Sequence, residues 1–165
     1  MVYLLLKSLH VISVVLFLGN IVTGVFWKLH GDHGDLRARA VALDGIIRSD
    51  RWFTMPGVIA IIVTGVLLAT TLHYSILRTP WILWSLILFG VSGVMFQFFV
   101  APLQKKLLAN VRAGSDGAWN ESEYRRLSRA WLWSGAVATL APVIAVFLAF
   151  QRHFVQGLTT GAVKG

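Results

Sequence analysis

The chain has 165 residues, of which 56% are hydrophobic and 13% are charged, and its formal net charge is +8 at neutral pH. A water-soluble domain of this length needs more polar residues to cover its surface, so the composition excludes an ordinary soluble protein. The sequence has no cysteine, which excludes disulfides and thiolate metal sites. The positive charges flank apolar stretches instead of following one groove, so we do not interpret them as a nucleic-acid surface.

Four long stretches of the sequence carry almost no charge and predict helices at about 2–27, 52–72, 81–103 and 129–151. Each stretch is long enough to cross a hydrocarbon core roughly 30 Å thick as a helix. Because lipid cannot satisfy exposed backbone groups, all four are expected to be helical. The sequence therefore predicts an all-α membrane protein, with residues 1–165 forming a single transmembrane domain, an up-down bundle of four helices.

The distribution of positive charge predicts how the bundle is oriented. Eleven of the Lys and Arg residues lie in the two long connections, at 28–51 and 105–129. The remaining four are Lys7, Arg78, Arg152 and Lys164. Because cytoplasmic connections are rich in Lys and Arg, both long loops are predicted to be cytoplasmic and both termini outside. For a bacterial source, this is a multi-pass protein of the inner (cytoplasmic) membrane.

The two long connections carry local signals of their own. Residues 37–48, "RARAVALDGIIR", are amphipathic and predict a short helix on the inner membrane surface, with Val41, Ile46 and Ile47 toward lipid. In the second connection, Asn120 or Ser122 is predicted to cap a cytoplasmic extension of helix four.

Small residues predict where helices approach each other closely. The fourth stretch carries them at steps of three and four residues, at Ala130, Ser134, Ala138, Ala141, Ala145 and Ala149. Gly57, Gly65 and Ala69 are predicted to play the same part in helix two. Besides the lipid bilayer, the partner predicted for the stripe of helix four is another membrane protein or a second copy of this chain.

Three histidines are predicted to lie at one membrane depth near the outer surface. His10 lies about one turn inside helix one, whereas His73 and His153 close helices two and four. Imidazoles from neighbouring helices can hold haem iron, and basic side chains at the water boundary can pair with the propionates. The candidate cofactor-binding residues are therefore His10, His73, His153, Lys7 and Arg78, with His10 and His73 as ligands of the iron. The alternative is that these histidines only hydrogen-bond a neighbouring helix or a lipid headgroup.

Other polar groups in the sequence permit two interpretations each. The segment "HGDHGD", residues 30–35, is either a divalent-metal site or a solvated turn. Asn20 and Gln97 lie at similar predicted depth, which predicts either an interhelical hydrogen bond or a transport path. The apolar stretches contain no Asp or Glu, so a proton-coupled transporter lacks its usual relay.

Several segments resemble one bacterial integral-membrane family of unassigned activity, called domain of unknown function 2269. They are "YLLLKSLHVISVVLFLGN", "DRWFTMPG" with "TGVLLA", and "PWILWSLILFG". The start "LKSLH" is also distantly similar to membrane-bound haem-dependent protoporphyrinogen oxidases and copper-resistance D proteins. The likeness to the oxidases implies that His10 is a haem ligand. It also implies a functional lysine in helix three, and here Lys105 and Lys106 lie only at the inner end of that helix.

The sequence therefore favours an integral membrane protein that binds haem b near the outer face, in an electron-transfer or redox role. The alternative is a cofactor-free structural or assembly subunit of a membrane complex. The two differ in one simple property, because a haem protein absorbs visible light and a cofactor-free subunit does not. No catalytic residue is predicted, and the sequence leaves open whether the protein is an enzyme.

Overall fold

A computed structural model describes residues 1–115 and 117–162, without the side chains of 115, 149, 150 and 152–162. Its helices are α1 (Val2–Asp32), α2 (Leu36–Ser49), α3 (Met55–Thr71), α4 (Pro80–Met95), α5 (Ala101–Ser115) and α6 (Glu121–Ala162). A π-helical turn, Asp50–Thr54, joins α2 to α3 without a break, and a second, Phe96–Val100, joins α4 to α5. The described chain thus forms four long helices, each with a stretch apolar enough to cross a membrane, which confirms the predicted all-α fold.

The helices are longer than the apolar stretches, and their extra turns meet at one end of the bundle. We call this end, residues 28–51, 104–115 and 117–130, the polar end. The main buried core lies at or beside it, and consists of Leu43, Ile46, Val100, Leu107, Leu108, Val111, Tyr124, Leu127 and Trp131. Burial of apolar side chains stabilises packing in water, whereas it gives no driving force between helices in lipid. The two long connections thus contain a packed region formed by α2, α5 and the adjoining ends of α1 and α6, with a hydrophobic core of its own.

The position of α2 differs from the sequence prediction. A helix does form over Leu36–Ser49, close to the predicted 37–48. However, it continues the line of α3 and packs against α1 and α5, so it does not lie on the membrane surface. Ile46, expected to face lipid, is buried in the core, whereas Val41 is exposed. The prediction of a surface helix is wrong because its apolar face is covered by protein.

Side-chain caps fix the starts of two helices at the polar end. Asn120 accepts a hydrogen bond from the backbone N–H of Glu123 at 3.0 Å, which confirms it as the cap of α6. Asp35 caps α2 in the same way, accepting from the N–H of Ala38 at 2.8 Å. Such a bond satisfies one of the backbone donors left free in the first helical turn.

In the apolar half, α1 packs against α3 and α4 packs against α6. Small residues make both approaches close, as predicted. A Cβ added at Gly57 would lie 3.4 Å from the Cβ of Phe17, and one added at Gly65 would lie 3.2 Å from Cε1 of His10. Between α4 and α6, Ser92 donates a hydrogen bond to the backbone carbonyl of buried Ala138. The stripe of α6 is thus used at Ala138 within the chain, and its use with a partner stays a prediction.

Candidate functional site

A cavity of about 450 Å³ lies between α1, α3 and α4, near the α3–α4 connection. We call it the His10 cavity, and its walls are mainly apolar and aromatic. Residues that line it include Tyr3, Lys7, His10, Val66, Trp81 and Phe89. Its volume is in the range of pockets that hold small organic ligands and cofactors.

The hydrogen bonds of His10 determine which ring nitrogen carries its proton. Nδ1 of His10 lies 2.8 Å from Oγ1 of Thr64. Oγ1 of Thr64 also lies 2.5 Å from the carbonyl of Ala60, and this short distance favours donation of the single hydroxyl hydrogen to that carbonyl, so that Thr64 accepts from His10. We therefore assign the proton to Nδ1, which leaves Nε2 of the neutral ring with a free lone pair.

The other predicted site residues do not all join His10. Lys7 lines the same cavity, and its Nζ lies 5.9 Å from the ring centroid of Tyr3. His73 is exposed, has a left-handed backbone (φ 57°), and does not line the cavity. Gly65 is the α3 residue beside His10, and α3 rises by roughly 9 Å from Gly65 to its end at Thr71, before His73.

Arg78 is exposed in the α3–α4 connection and likewise does not line the His10 cavity. The side chain of His153 lies outside the described residues. The structure thus brings together His10 and Lys7 from the predicted set, and it separates them from His73 and Arg78.

Sequence reasoning missed a polar cluster centred on Asp50, at the first π-helical turn. Oδ1 of Asp50 accepts hydrogen bonds from Nδ2 of Asn20 at 3.1 Å and from Oγ1 of Thr54 at 2.8 Å. Oδ2 accepts from Nε2 of Gln104 at 2.8 Å. The predicted bond between Asn20 and Gln97 is wrong: within the described residues, the Asn20 amide hydrogen-bonds Asp50 and Thr54 instead.

Asp50 also changes the expectation that the membrane helices carry no acidic group. The sequence places it in a charged loop, between Arg48 and Arg51. In the structure it is half-buried within a continuous helix, and its carboxylate contacts α1, α5 and the π-helical turn itself. The signal available in the sequence was only the amphipathic period of residues 37–48, which extends the helix toward Asp50.

A second and larger cavity, of about 750 Å³, adjoins this cluster, and we call it the Asp50 cavity. Asn20, Asp50, Thr54 and Gln104 provide polar groups in its wall, and most of the remaining lining is apolar. Phe17 and Phe89 contact each other edge to face, with ring centroids 5.7 Å apart. Since Phe89 lines both cavities and Phe17 lines the larger one, this pair lies where the cavities adjoin.

Lys28 forms a third polar group, which ties α1 to α6 at the polar end. Its side chain is 1% exposed, and its Nζ donates to Asp32 at 2.5 Å and to Ser128 at 2.8 Å. Tyr124 donates its hydroxyl hydrogen to the other oxygen of Asp32, and Nζ lies 5.0 Å from the centroid of its ring. The Lys28 ammonium group and the Tyr124 hydroxyl therefore both have hydrogen-bond partners, which is typical of a structural network.

The segment "HGDHGD" takes part in these structural contacts. Asp32 bonds Lys28 and Tyr124, His33 bonds the carbonyl of Leu29 through Nδ1 at 2.8 Å, and Asp35 caps α2. Within the described ranges, no group of three or more His, Cys, Asp or Glu residues is arranged to hold a metal ion. Residues 30–35 therefore act as the end of α1 and the turn into α2.

The fold defines this chain as an integral membrane protein with four apolar helices. A family described as "Predicted integral membrane protein (DUF2269)" matches residues 4–153, and the chain belongs to that family. The family assignment extends over nearly all of the chain and fits the helical architecture.

Two curated relatives are similar over a short segment only. Both are the arabinooligosaccharides transport system permease protein AraQ, from Halalkalibacterium halodurans (50% identical over 34 residues) and Bacillus subtilis (56% identical over 34 residues). In each comparison the match covers 21% of this chain and 12% of the relative, so the chain spans about an eighth of those proteins. No solved structure matches the chain.

Proposed function

We propose that this protein binds haem b in the His10 cavity, with His10 as the axial ligand, and serves in electron transfer or another redox reaction. The observation that carries the proposal is the hydrogen bond between Nδ1 of His10 and Thr64, which leaves Nε2 free. Ligating histidines in proteins commonly donate their second N–H to a neighbouring acceptor in this way. Bound haem would supply the one-electron chemistry.

The cavity around His10 has the character that a porphyrin needs. Its walls are largely apolar, and Trp81 and Phe89 supply flat aromatic surfaces. Lys7 lies on the same cavity and is positioned to pair with a propionate. Among the described side chains that line the cavity, His10 is the sole imidazole, so we propose one histidine ligand and not the pair with His73.

The same proposal places the haem on the outer side of a bacterial inner membrane. The polar end carries the two connections rich in Lys and Arg, and His10 lies toward the opposite end of α1. By the positive-inside rule, the polar end is cytoplasmic and the His10 cavity is near the outer surface.

Absorption spectroscopy tests this proposal directly. The protein, expressed in haem-replete cells and purified in mild detergent, should show a Soret band, and one haem per chain by pyridine haemochrome assay. His10→Ala should lose at least about nine-tenths of the haem, because it removes the axial ligand. Thr64→Val keeps the side-chain shape but removes the hydrogen-bond acceptor, so it should retain haem with a shifted spectrum.

His73→Ala is the matched control, since His73 is an exposed histidine outside the cavity, and it should retain haem like the wild type. A colourless wild-type protein, or a His10→Ala variant with full haem content, would contradict the proposal. The cofactor-free structural or assembly subunit would then be the better interpretation.

A further inference from the structure

We propose that the Asp50 cavity is a second binding site, which takes a lipophilic organic cation with the carboxylate of Asp50 as its counter-ion. This site is separate from the proposed haem site and does not depend on it. The two cavities have different polar groups, His10 and Lys7 in one and Asp50 with its amide partners in the other.

The first argument is that Asp50 has hydrogen bonds but no positive partner. Its three donors, on Asn20, Thr54 and Gln104, are all neutral. In the described part of the chain, none of the ion pairs includes Asp50, and neighbouring Arg48 pairs with Asp44. Burial disfavours the charged form of this carboxylate, the three donors oppose that effect, and a cation in the cavity would oppose it further. Ionised groups inside a membrane protein normally pair with an opposite charge, and here that charge is left for a ligand.

The second argument is that hydrogen-bonding capacity remains beside the cavity. Oδ1 of Asp50 accepts two hydrogen bonds, whereas Oδ2 accepts one, so Oδ2 retains an acceptor position. Asp50 lines the cavity, so a cation bound there can pair with this carboxylate.

The third argument is that the walls suit the body of such a cation. The volume of about 750 Å³ is large enough for a drug-sized molecule. Aromatic rings of Phe17, Phe96 and Trp131 line the cavity, and aromatic faces attract organic cations. An anion of the same size would be repelled by the negative charge of Asp50. The site should therefore bind cations more tightly than anions of the same shape.

The π-helical turns give the site a structural origin. Asp50 begins the turn Asp50–Thr54, and Phe96 begins the turn Phe96–Val100 on the neighbouring long helix. Residues from both turns line the cavity. Short π-helical turns within α-helices are frequent at functional sites because they redirect side chains locally.

The test uses two ions of the same shape and opposite charge. The full-length protein in phosphatidylcholine nanodiscs is titrated calorimetrically with tetraphenylphosphonium and, separately, with tetraphenylborate, after subtraction of empty nanodiscs. Tetraphenylphosphonium should bind once per chain, and tetraphenylborate should show no binding that depends on the protein. Equal binding of both ions would overturn the proposal, because it would show that the cavity responds to apolarity alone. Absence of tetraphenylphosphonium binding would overturn it as well.

Variants locate the site. Asp50→Asn should weaken tetraphenylphosphonium binding at least tenfold, since it removes the charge and keeps the size of the side chain. Asp44→Asn is the matched control: Asp44 also lies on the α2–α3 helix, pairs with Arg48 and Arg112, does not line the cavity, and should bind like the wild type. Wild-type affinity in Asp50→Asn would overturn the proposal.

A second variant decides the outcome if Asp50→Asn does not fold. Gly135 lines the Asp50 cavity, and a Cβ added there meets nothing within 4 Å. Gly135→Leu keeps the carboxylate of Asp50, and it should occupy part of the cavity and lower the affinity at least tenfold. Unchanged affinity in this variant would overturn the proposal. His10→Ala should bind tetraphenylphosphonium normally, so the result is independent of whether haem binds.

Discussion

At the scale of single residues, Lys28 shows how a charge is kept inside the polar end. A lysine is almost never fully buried unless it is paired. Here the ammonium group has a carboxylate, a hydroxyl and an aromatic face around it, from Asp32, Ser128 and Tyr124. The ion pair is within one helix, but the contacts to α6 reach across the bundle, so Lys28 joins the first long helix to the last.

Lys28→Met should destabilise the protein by on the order of 3 kcal/mol, because it removes one partner of a buried pair and leaves Asp32 without its cation. Combining it with Asp32→Asn should cost less than the sum of the two single changes. The quantity to measure is the free energy of unfolding in detergent, with circular dichroism as the probe of unfolding. Lys105→Met is the control at an exposed lysine and should change stability by less than about 0.5 kcal/mol. Additive losses at Lys28 and Asp32 would show that the pair is not coupled.

At the scale of elements, the contact between α1 and α2 depends on a glycine. A Cβ at Gly31 would lie 2.7 Å from the Cβ of Ala42, which is closer than real Cβ atoms come. The two helices can come this close because Gly31 has only a hydrogen atom where another residue has a Cβ. The approach positions α2 so that Leu43 and Ile46 enter the core.

Gly31→Ala should destabilise the protein by about 1–3 kcal/mol, because the added methyl group forces α1 and α2 apart. Gly45→Ala is the matched control in α2, where an added Cβ meets nothing within 4 Å. That change should be neutral or stabilising by about 0.5–1 kcal/mol, since alanine favours helix. The measurement is the thermal unfolding temperature of the two variants under the same conditions. Equal stabilities of Gly31→Ala and Gly45→Ala would contradict the close approach of α1 and α2.

The elements also show how far the sequence could predict this structure. The four apolar stretches were predictable because a run of about twenty uncharged, mainly apolar residues is typical of a membrane-spanning helix. The helical extensions were not, because one face of each carries Lys and Arg while the other face is buried by neighbours far along the chain. The mean hydropathy of such a segment is low because it averages the charged face with the buried one, and the segment is therefore interpreted as a loop.

The candidate sites were predictable to different degrees. His10 stood out as an imidazole within an apolar stretch, and Lys7 lies one turn away. Its partner Thr64 is 54 residues distant, and nothing local marks it. Asp50 was hidden because its partners Asn20 and Gln104 come from other helices. Pairings across helices depend on the rotation of each helix, and the π-helical turns changed that rotation without a recognisable sequence signal.

At the scale of the whole molecule, the two halves of the bundle are stabilised differently. The polar end has an apolar core of the kind found in water-soluble helical proteins. The apolar half relies on close helix contacts at small residues and encloses the His10 cavity and much of the Asp50 cavity. The His10 cavity shares none of the buried core residues, whereas the Asp50 cavity shares Ile46, Val100 and Trp131 with the core, so a ligand in the Asp50 cavity would also contact the part that holds the helices together.

The orientation of the whole bundle can be tested with single cysteines, because the chain has none of its own. Ser75→Cys lies in the exposed α3–α4 connection, and Ala118→Cys lies in the exposed turn before α6. With the polar end in the cytoplasm, a membrane-impermeant maleimide should label Ser75→Cys in spheroplasts and Ala118→Cys only after lysis. The reverse pattern would place the His10 cavity on the cytoplasmic side.

The two π-helical turns have a consequence for chain length. A π-helical turn closes from residue i to i+5 and so contains one residue more than an α-helical turn. Deleting one residue from Asp50–Thr54 would convert it into a regular α-helical turn and leave α2 and α3 at about the same relative rotation. Deleting one residue from α2 between Leu43 and Asp50 would instead rotate Leu43 by about 100° relative to α3, and Leu43 would then leave the core. The π-helical turn is therefore a place where this long helix can lose a residue while its flanking parts stay in register, although Asp50 would lose the local bulge from which it reaches its three donors.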